Sequence, residues 1–106
     1  MTKPAVYIYE ASADPINIGE LCAGLEEEGI PYEVYEMHNN DIKTLAYSAA
    51  NHSRLRVGIG ITATSAALQI KNHPISKPVF LINLENNELR KLGQNAARAV
   101  KGGAFI

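Results

Sequence analysis

The sequence predicts a single α/β domain of three layers, residues 1–106, in which a mainly parallel sheet is flanked by helices. Three observations predict it. Short apolar runs rich in β-branched and aromatic residues alternate with longer runs whose apolar residues recur at helical spacing. Glycine, proline and Asx residues punctuate the changes between these patterns. The length of 106 residues suits one domain, with no internal repeat, low-complexity segment or linker to divide it.

The first run, Ala5 to Tyr9 (AVYIY), reads as a buried strand. Asp14 can then cap a helix whose first turn accepts Pro15, and Ile18, Leu21, Cys22 and Leu25 fall on one face of it. Gly29 suits the position just past the helix end, and Pro31 forbids continuation. Tyr32 to Met37 forms a second strand. Asp41 caps a second helix, with an apolar stripe at Ile42, Leu45, Ala46 and Ala49. Arg56 to Ile61 is a third strand. Ala66 to Ile70 fits a short helix or a strand returning from a turn at 62–65, and the returning strand is the preferred reading. After a loop at 71–77, Pro78 to Leu84 is strongly apolar and extended. A last helix runs from about Asn86 to Val100, with Leu89, Leu92, Ala96 and Val100 on one face, and stops at Gly102-Gly103.

Ten basic residues against eleven acidic ones give a net charge of −1, which argues against a generic nucleic-acid or anionic-membrane binder. A single cysteine, Cys22, forbids an internal disulfide and fits a reducing compartment. It lies mid-stripe between Leu21 and Leu25, so an inert core thiol is expected rather than a nucleophile. The first residues contain no signal-peptide apolar region, and no segment has the apolar length of a membrane span. The expected location is the cytoplasm.

The motif search yields little catalytic chemistry. Gly58 and Gly60 in GIGI lie inside a strand, and the position three residues on is Ala63, so the dinucleotide fingerprint fails. Their expected role is to let a helix approach the sheet closely. No phosphate-loop pattern occurs, so the chain alone is not expected to bind ATP. Glu36 to Asp41 (EMHNND) differs at both ends from the Asp-x-His-x-x-Gly run of cobalamin-binding domains, which makes His38 a solvated loop residue. His52 and His73 have no partner at metal-ligand spacing.

One local feature runs against elementary electrostatics. Glu26, Glu27 and Glu28 stand at the end of the first helix, where the backbone dipole contributes roughly half a negative charge. The arrangement is either a solvated end of small cost or a surface that meets a cation or a basic partner.

Two stretches, LEEEGIPYEVYE (Leu25 to Glu36) and LGQNAARAVKG (Leu92 to Gly102), with RVGIGI and KNHP between them, resemble the small subunit of the glycerol and diol dehydratase reactivating factors. The resemblance runs from Ala5 to Phe105 in the same order and spacing, with Thr62 to Ala66 smaller and less charged than the family pattern. It implies a fold similar to the dehydratase medium (β) subunit. It also implies a non-catalytic chain that partners a large ATPase subunit, two large with two small, and takes part in ATP-dependent release of damaged cobalamin. Release is thought to proceed by exchange with the dehydratase β subunit, so the dehydratase large subunit is a second partner. No cofactor is implied on this chain alone. The resemblance further implies that ATP or ADP belongs to the large subunit and that Glu27 is the position whose carboxylate reaches a magnesium ion at the interface with it. Glu26, Glu27, Glu28, Asn95 and Arg98 are the expected partner interface. A bacterial microcompartment is the narrower alternative for location. The competing reading is a β-like subunit of the dehydratase itself, which the lack of an additional N-terminal region disfavours; a free-standing flavodoxin-like nucleotide or cobalamin binder lacks the necessary loops.

Overall fold

The computed structural model describes residues 3–106, apart from the side chain of Asn86. Five strands and three helices follow in the order β1 (Val6–Ala11), α1 (Pro15–Glu27), β2 (Tyr32–Glu36), α2 (Ile42–His52), β3 (Val57–Thr62), β4 (Ser65–Ile70), β5 (Phe80–Asn83) and α3 (Leu89–Lys101). The sheet order is β2-β1-β3-β4-β5. β1 pairs in parallel with both β2 and β3, whereas β4 runs antiparallel to β3 and to β5. β4 is therefore the one reversed strand among the described residues, returning directly from β3 through a tight connection at 63–64.

Strand alternation distributes the side chains to two faces. Val6, Ile8, Val57, Ile59, Ile61, Ala66 and Leu68 join Leu21 and Leu25 of α1 and Leu89, Leu92, Ala96 and Ala97 of α3 in the main core. Ala5, Tyr7, Tyr9 and Ala11 face the other way, towards Leu45 and Ala49 of α2. The three layers are thus α1 with α3, the sheet, and α2.

Gly58 and Gly60 have the role expected of them. A Cβ on Gly58 would lie 2.1 Å from the Ala50 backbone nitrogen, and one on Gly60 would lie 2.7 Å from that of Ala46. The glycines bring α2 against β3, where larger residues would hold it off. The helix ends also follow the sequence. Asp14 Oδ1 accepts from Ile16 N at 2.9 Å, and Gly29 takes φ +73° just beyond the C-cap of α1. The last helix begins three residues later than expected. Asn83 Oδ1 accepts from Glu85 N at 3.0 Å and caps a short 3-10 turn at Leu84–Asn86, after which Asn87 turns left-handed at φ 55°. Arg56 likewise has φ 64°, which moves the start of β3 to Val57.

The α2 cap yields a pH prediction. Asp41 Oδ2 accepts from Thr44 Oγ1 at 2.5 Å and from Thr44 N at 3.1 Å. These two bonds, the hydroxyl's first, hold the Asp41 carboxyl below its ordinary value. A depressed carboxyl contributes stability above its unfolded value, about 4, and loses it as pH falls through the lower folded value. Asp41→Asn keeps a capping oxygen but loses this titration. Urea midpoints of the wild type and Asp41→Asn are expected to differ at pH 6 and to converge as pH falls from about 4 through the lower folded value; parallel curves would assign the cap no ionic component.

Candidate partner interface

α1 and α3 lie side by side, and their contact explains how the acidic helix end is tolerated. Both helices carry a glycine at the crossing. A Cβ on Gly24 would lie 2.1 Å from Arg90 O, and one on Gly93 would lie 2.2 Å from Leu21 O. Backbones that close bring long polar side chains of the two helices within reach along the outer rim.

The rim is a ladder of opposite charges. Arg90 Nη2 donates to Glu20 Oε2 at 3.0 Å, and Arg90 Nε lies 3.9 Å from Glu27 Oε1. Gln94 Nε2 donates to the same Glu27 oxygen at 3.2 Å. Lys101 Nζ reaches Glu28 Oε1 at 3.2 Å, with Arg98 Nη2 3.9 Å from Glu28 Oε2. Glu26 turns away from this ladder and accepts from the Tyr32 hydroxyl. That bond, followed by burial, pushes the Tyr32 hydroxyl pKa well above its ordinary value. The three glutamates at the end of α1 therefore each have a partner within the chain. The expectation that this end is electrostatically poor in a lone domain is corrected: positive charge on α3 offsets the helix dipole.

Each expected interface residue can now be placed. Glu27 is the last residue of α1, with its side chain 48% exposed. Glu28, at the C-cap, is more covered. Arg98 spans the seam between Glu28 and the carbonyl of Ala104, to which its Nη1 donates at 3.3 Å. Asn95 is turned inward: it is 3% exposed, and its side chain bonds the backbone of Ile106. It presents no free amide to a partner while that contact holds. Its position three residues after Leu92 already places it near the buried stripe. Glu20, Arg90, Gln94 and Lys101 went unrecognised as site residues. For the three on α3 the signal was a stripe at positions 90, 94, 98 and 101, spaced as one helical face.

A magnesium ion can be accommodated only with outside ligands. Among the described residues no group of three or more His, Cys, Asp or Glu side chains is placed to hold a metal. Magnesium is usually bound through one or two carboxylates, with waters or phosphates completing the shell. Glu27 fits that role as a single half-exposed carboxylate at the end of an element, and its long contact with Arg90 leaves room for exchange.

Other places offer less. The crevice at the C-terminal ends of β1 and β3, where an open α/β sheet usually takes a ligand, is lined by Ala11, Ser12, Asn40, Thr62, Ala63 and Thr64. Its lining contains no charged side chain and no glycine-rich turn. Cys22 is half-buried and raised in pKa, mainly by burial, which makes it a poor nucleophile. His52 bonds the Tyr9 hydroxyl at 2.6 Å through Nδ1. No helix among the described residues is long and apolar enough to cross a membrane.

Comparison with known proteins places this architecture. Residues 3–105 match the sequence model of the family described as dehydratase medium subunit. The chain is 37% identical over 107 residues to a propanediol dehydratase-reactivating factor small subunit from Citrobacter freundii, covering 99% of this chain and 92% of the relative. It superposes with a TM-score of 0.92 and 33% identity on a chain of a diol dehydratase-reactivating factor solved in complex with ADP and Mg2+, covering 99% of each. A chain of a glycerol dehydratase reactivase gives the same score and identity, covering 98% of this chain and 97% of that one.

Proposed function

We propose, because the chain belongs to the dehydratase medium-subunit family and groups there with the small subunits of diol and glycerol dehydratase-reactivating factors, that it acts as the exchangeable, non-catalytic subunit of an ATP-driven reactivase. Its direct partner is then a large ATPase subunit that carries the nucleotide, in an assembly of two large and two small chains. The assembly releases damaged cobalamin from inactivated dehydratase in the cytoplasm. The observation that carries this reading is the likeness to reactivating-factor chains over nearly the full length of both proteins. The names of these relatives, reactivating-factor small subunits, also favour a reactivase subunit over a medium subunit of the dehydratase itself.

The geometry supports a division of labour. The α1–α3 rim offers a rigid, charged edge: glycines lock the helices together, and ion pairs hold the long side chains. In the assembly Glu27 would hold the interface magnesium by its carboxylate, and the metal would supply positive charge between the two subunits. Arg90 and Gln94, released from Glu27, become available to acceptors on the large subunit. A contact made of exchangeable ion pairs suits a subunit that must leave one partner for another. The partner's nucleotide state biases the choice through different affinity in its two conformations.

Exchange is tested by incubating the assembled reactivase with inactivated dehydratase and ADP, then separating the complexes. This chain is expected to appear with the dehydratase large subunit. If it stays wholly with its own large subunit while cobalamin is released, the partnership stands and exchange fails.

A further inference from the structure

On one side the sheet ends at β2, which pairs with β1 alone. Val6 N donates to Pro31 O at 3.0 Å, and Met37 N donates to Glu10 O at 2.8 Å. A parallel ladder uses both backbone groups of alternate residues. Those two bonds therefore set Glu33 and Tyr35 to bond inward, to β1. The N–H and C=O of Tyr32, Val34 and Glu36 point out of the sheet. Among the described residues no strand lies beyond them. Val34 and Tyr35 are 40% and 38% exposed, large for apolar and aromatic side chains.

An unpaired edge is a template for another strand, and the residues on it decide which strand fits. The outward backbone groups at 32, 34 and 36 are symmetric about Val34. An antiparallel copy with its twofold axis beside Val34 sets Val34 against Val34, Glu33 against Tyr35 and Tyr32 against Glu36. In this register every outward group meets a matching group, and no carboxylate stands directly opposite another. The chain already uses this kind of pair internally, where the Tyr32 hydroxyl donates to Glu26. The nearest like charges, the two copies of Glu33, are diagonal, about 7 Å apart and in solvent. Moving the axis to Glu33 puts two carboxylates face to face. Moving it to Tyr35 sets Tyr32 against His38, beyond the end of the strand.

We propose that β2 is a self-recognition edge: in the free chain it pairs antiparallel with β2 of a second copy about Val34, joining the two sheets into one. Two five-residue strands form a contact well below the roughly 1,200 Å² of stable interfaces, so the dimer is weak, with a dissociation constant of about 0.1 mM or above. A pairing this weak yields to any partner that holds the chain more tightly. The proposal does not depend on the reactivase reading.

The test is sedimentation equilibrium of the full chain from about 10 μM to about 1 mM, with circular dichroism as the check on folding. The average mass is expected to rise with concentration, and to rise further with added salt, which screens the two copies of Glu33. Val34→Asp sets carboxylates opposite each other and should weaken the dimer by about tenfold or more. Val34→Lys alone should also weaken it, and an equimolar mixture of Val34→Asp with Val34→Lys should recover it. Facing residues of an outward-bonded pair lie about 5.5 Å apart at Cα, within disulfide reach. Val34→Cys in a Cys22→Ala background should therefore oxidise to a covalent dimer, and Leu81→Cys on the opposite edge strand β5 should not. A monomeric mass up to about 1 mM would overturn the proposal. So would a dimer indifferent to Val34→Asp, a mixture no stronger than its components, or equal oxidation at positions 34 and 81.

Discussion

Gly93→Ala is expected to destabilise the chain by about 2 kcal/mol or more, although alanine is the better helix former. Two effects of opposite sign compete. Replacing a mid-helix glycine with alanine normally gains about 1 kcal/mol. Here the new methyl would lie 2.2 Å from Leu21 O and 3.2 Å from the Gly24 Cα. A backbone carbonyl cannot rotate away as a side chain can, so α1 as a whole must shift. Overpacking of this kind costs about 1–3 kcal/mol and more where no side chain can yield, which exceeds the propensity gain. The shift would also lengthen the Glu20–Arg90, Glu27–Gln94 and Glu28–Lys101 contacts. For a domain of this size a loss of about 2 kcal/mol lowers the thermal midpoint by about 10 °C. Gly19→Ala is the internal control. It lies in the same pair of helices, but nothing stands within 4 Å of its added methyl. It is expected to raise the midpoint. If both variants behave alike, the close crossing of α1 and α3 is not what these glycines provide.

Glu27→Gln is expected to leave the isolated chain folded and to weaken its assembly with the large subunit by about tenfold or more, since removing even the outer supports of metal ligands costs about 10–100-fold in metal affinity. The substitution keeps the shape and the hydrogen-bonding oxygen that Gln94 meets at 3.2 Å. It removes one charge from a helix C-terminus, which favours the helix slightly, and weakens a 3.9 Å contact with Arg90. Exposed ion pairs are worth about 0–1 kcal/mol, so the two changes nearly cancel. In the assembly the balance differs, because a neutral amide is a poor magnesium ligand. Binding is measured by calorimetry with and without a chelator. The wild type should lose affinity when magnesium is removed, and Glu27→Gln should not lose more. Equal affinities of the two proteins in magnesium would remove Glu27 from the metal and leave it a member of the rim ladder.

The fold was legible because its signals are local. Asp14, Pro15 and Gly29 bracket α1 as capping rules require, and the β-branched and aromatic run Ala5 to Tyr9 announces a buried strand, found as β1 at Val6–Ala11. The start of α3 was obscured by rival local chemistry, the Asn83 cap and left-handed Asn87, in a stretch whose apolar spacing continues regardless. The candidate site was legible by composition and hidden in its pairing. Three adjacent glutamates mark the end of α1, but their partners on α3 lie 67 and 73 residues away in sequence for Gln94 and Lys101. Only the glycines at 24 and 93 bring them together, and a lone glycine in a helical pattern does not reveal what it packs against. Asn95 shows the same limit. Its helical position signals burial, but nothing local indicates that it holds the backbone of Ile106.

The most direct measurement is recovery of dehydratase activity after inactivation by glycerol, in the presence of intact coenzyme, ATP and magnesium. Four samples are compared: inactivated enzyme alone, with this chain, with the large ATPase subunit, and with both. Recovery is expected only where both subunits are present, and it should disappear when ATP is omitted. Recovery by the large subunit alone to the same level, or none from the assembled pair, would contradict the assignment of this chain to the reactivase.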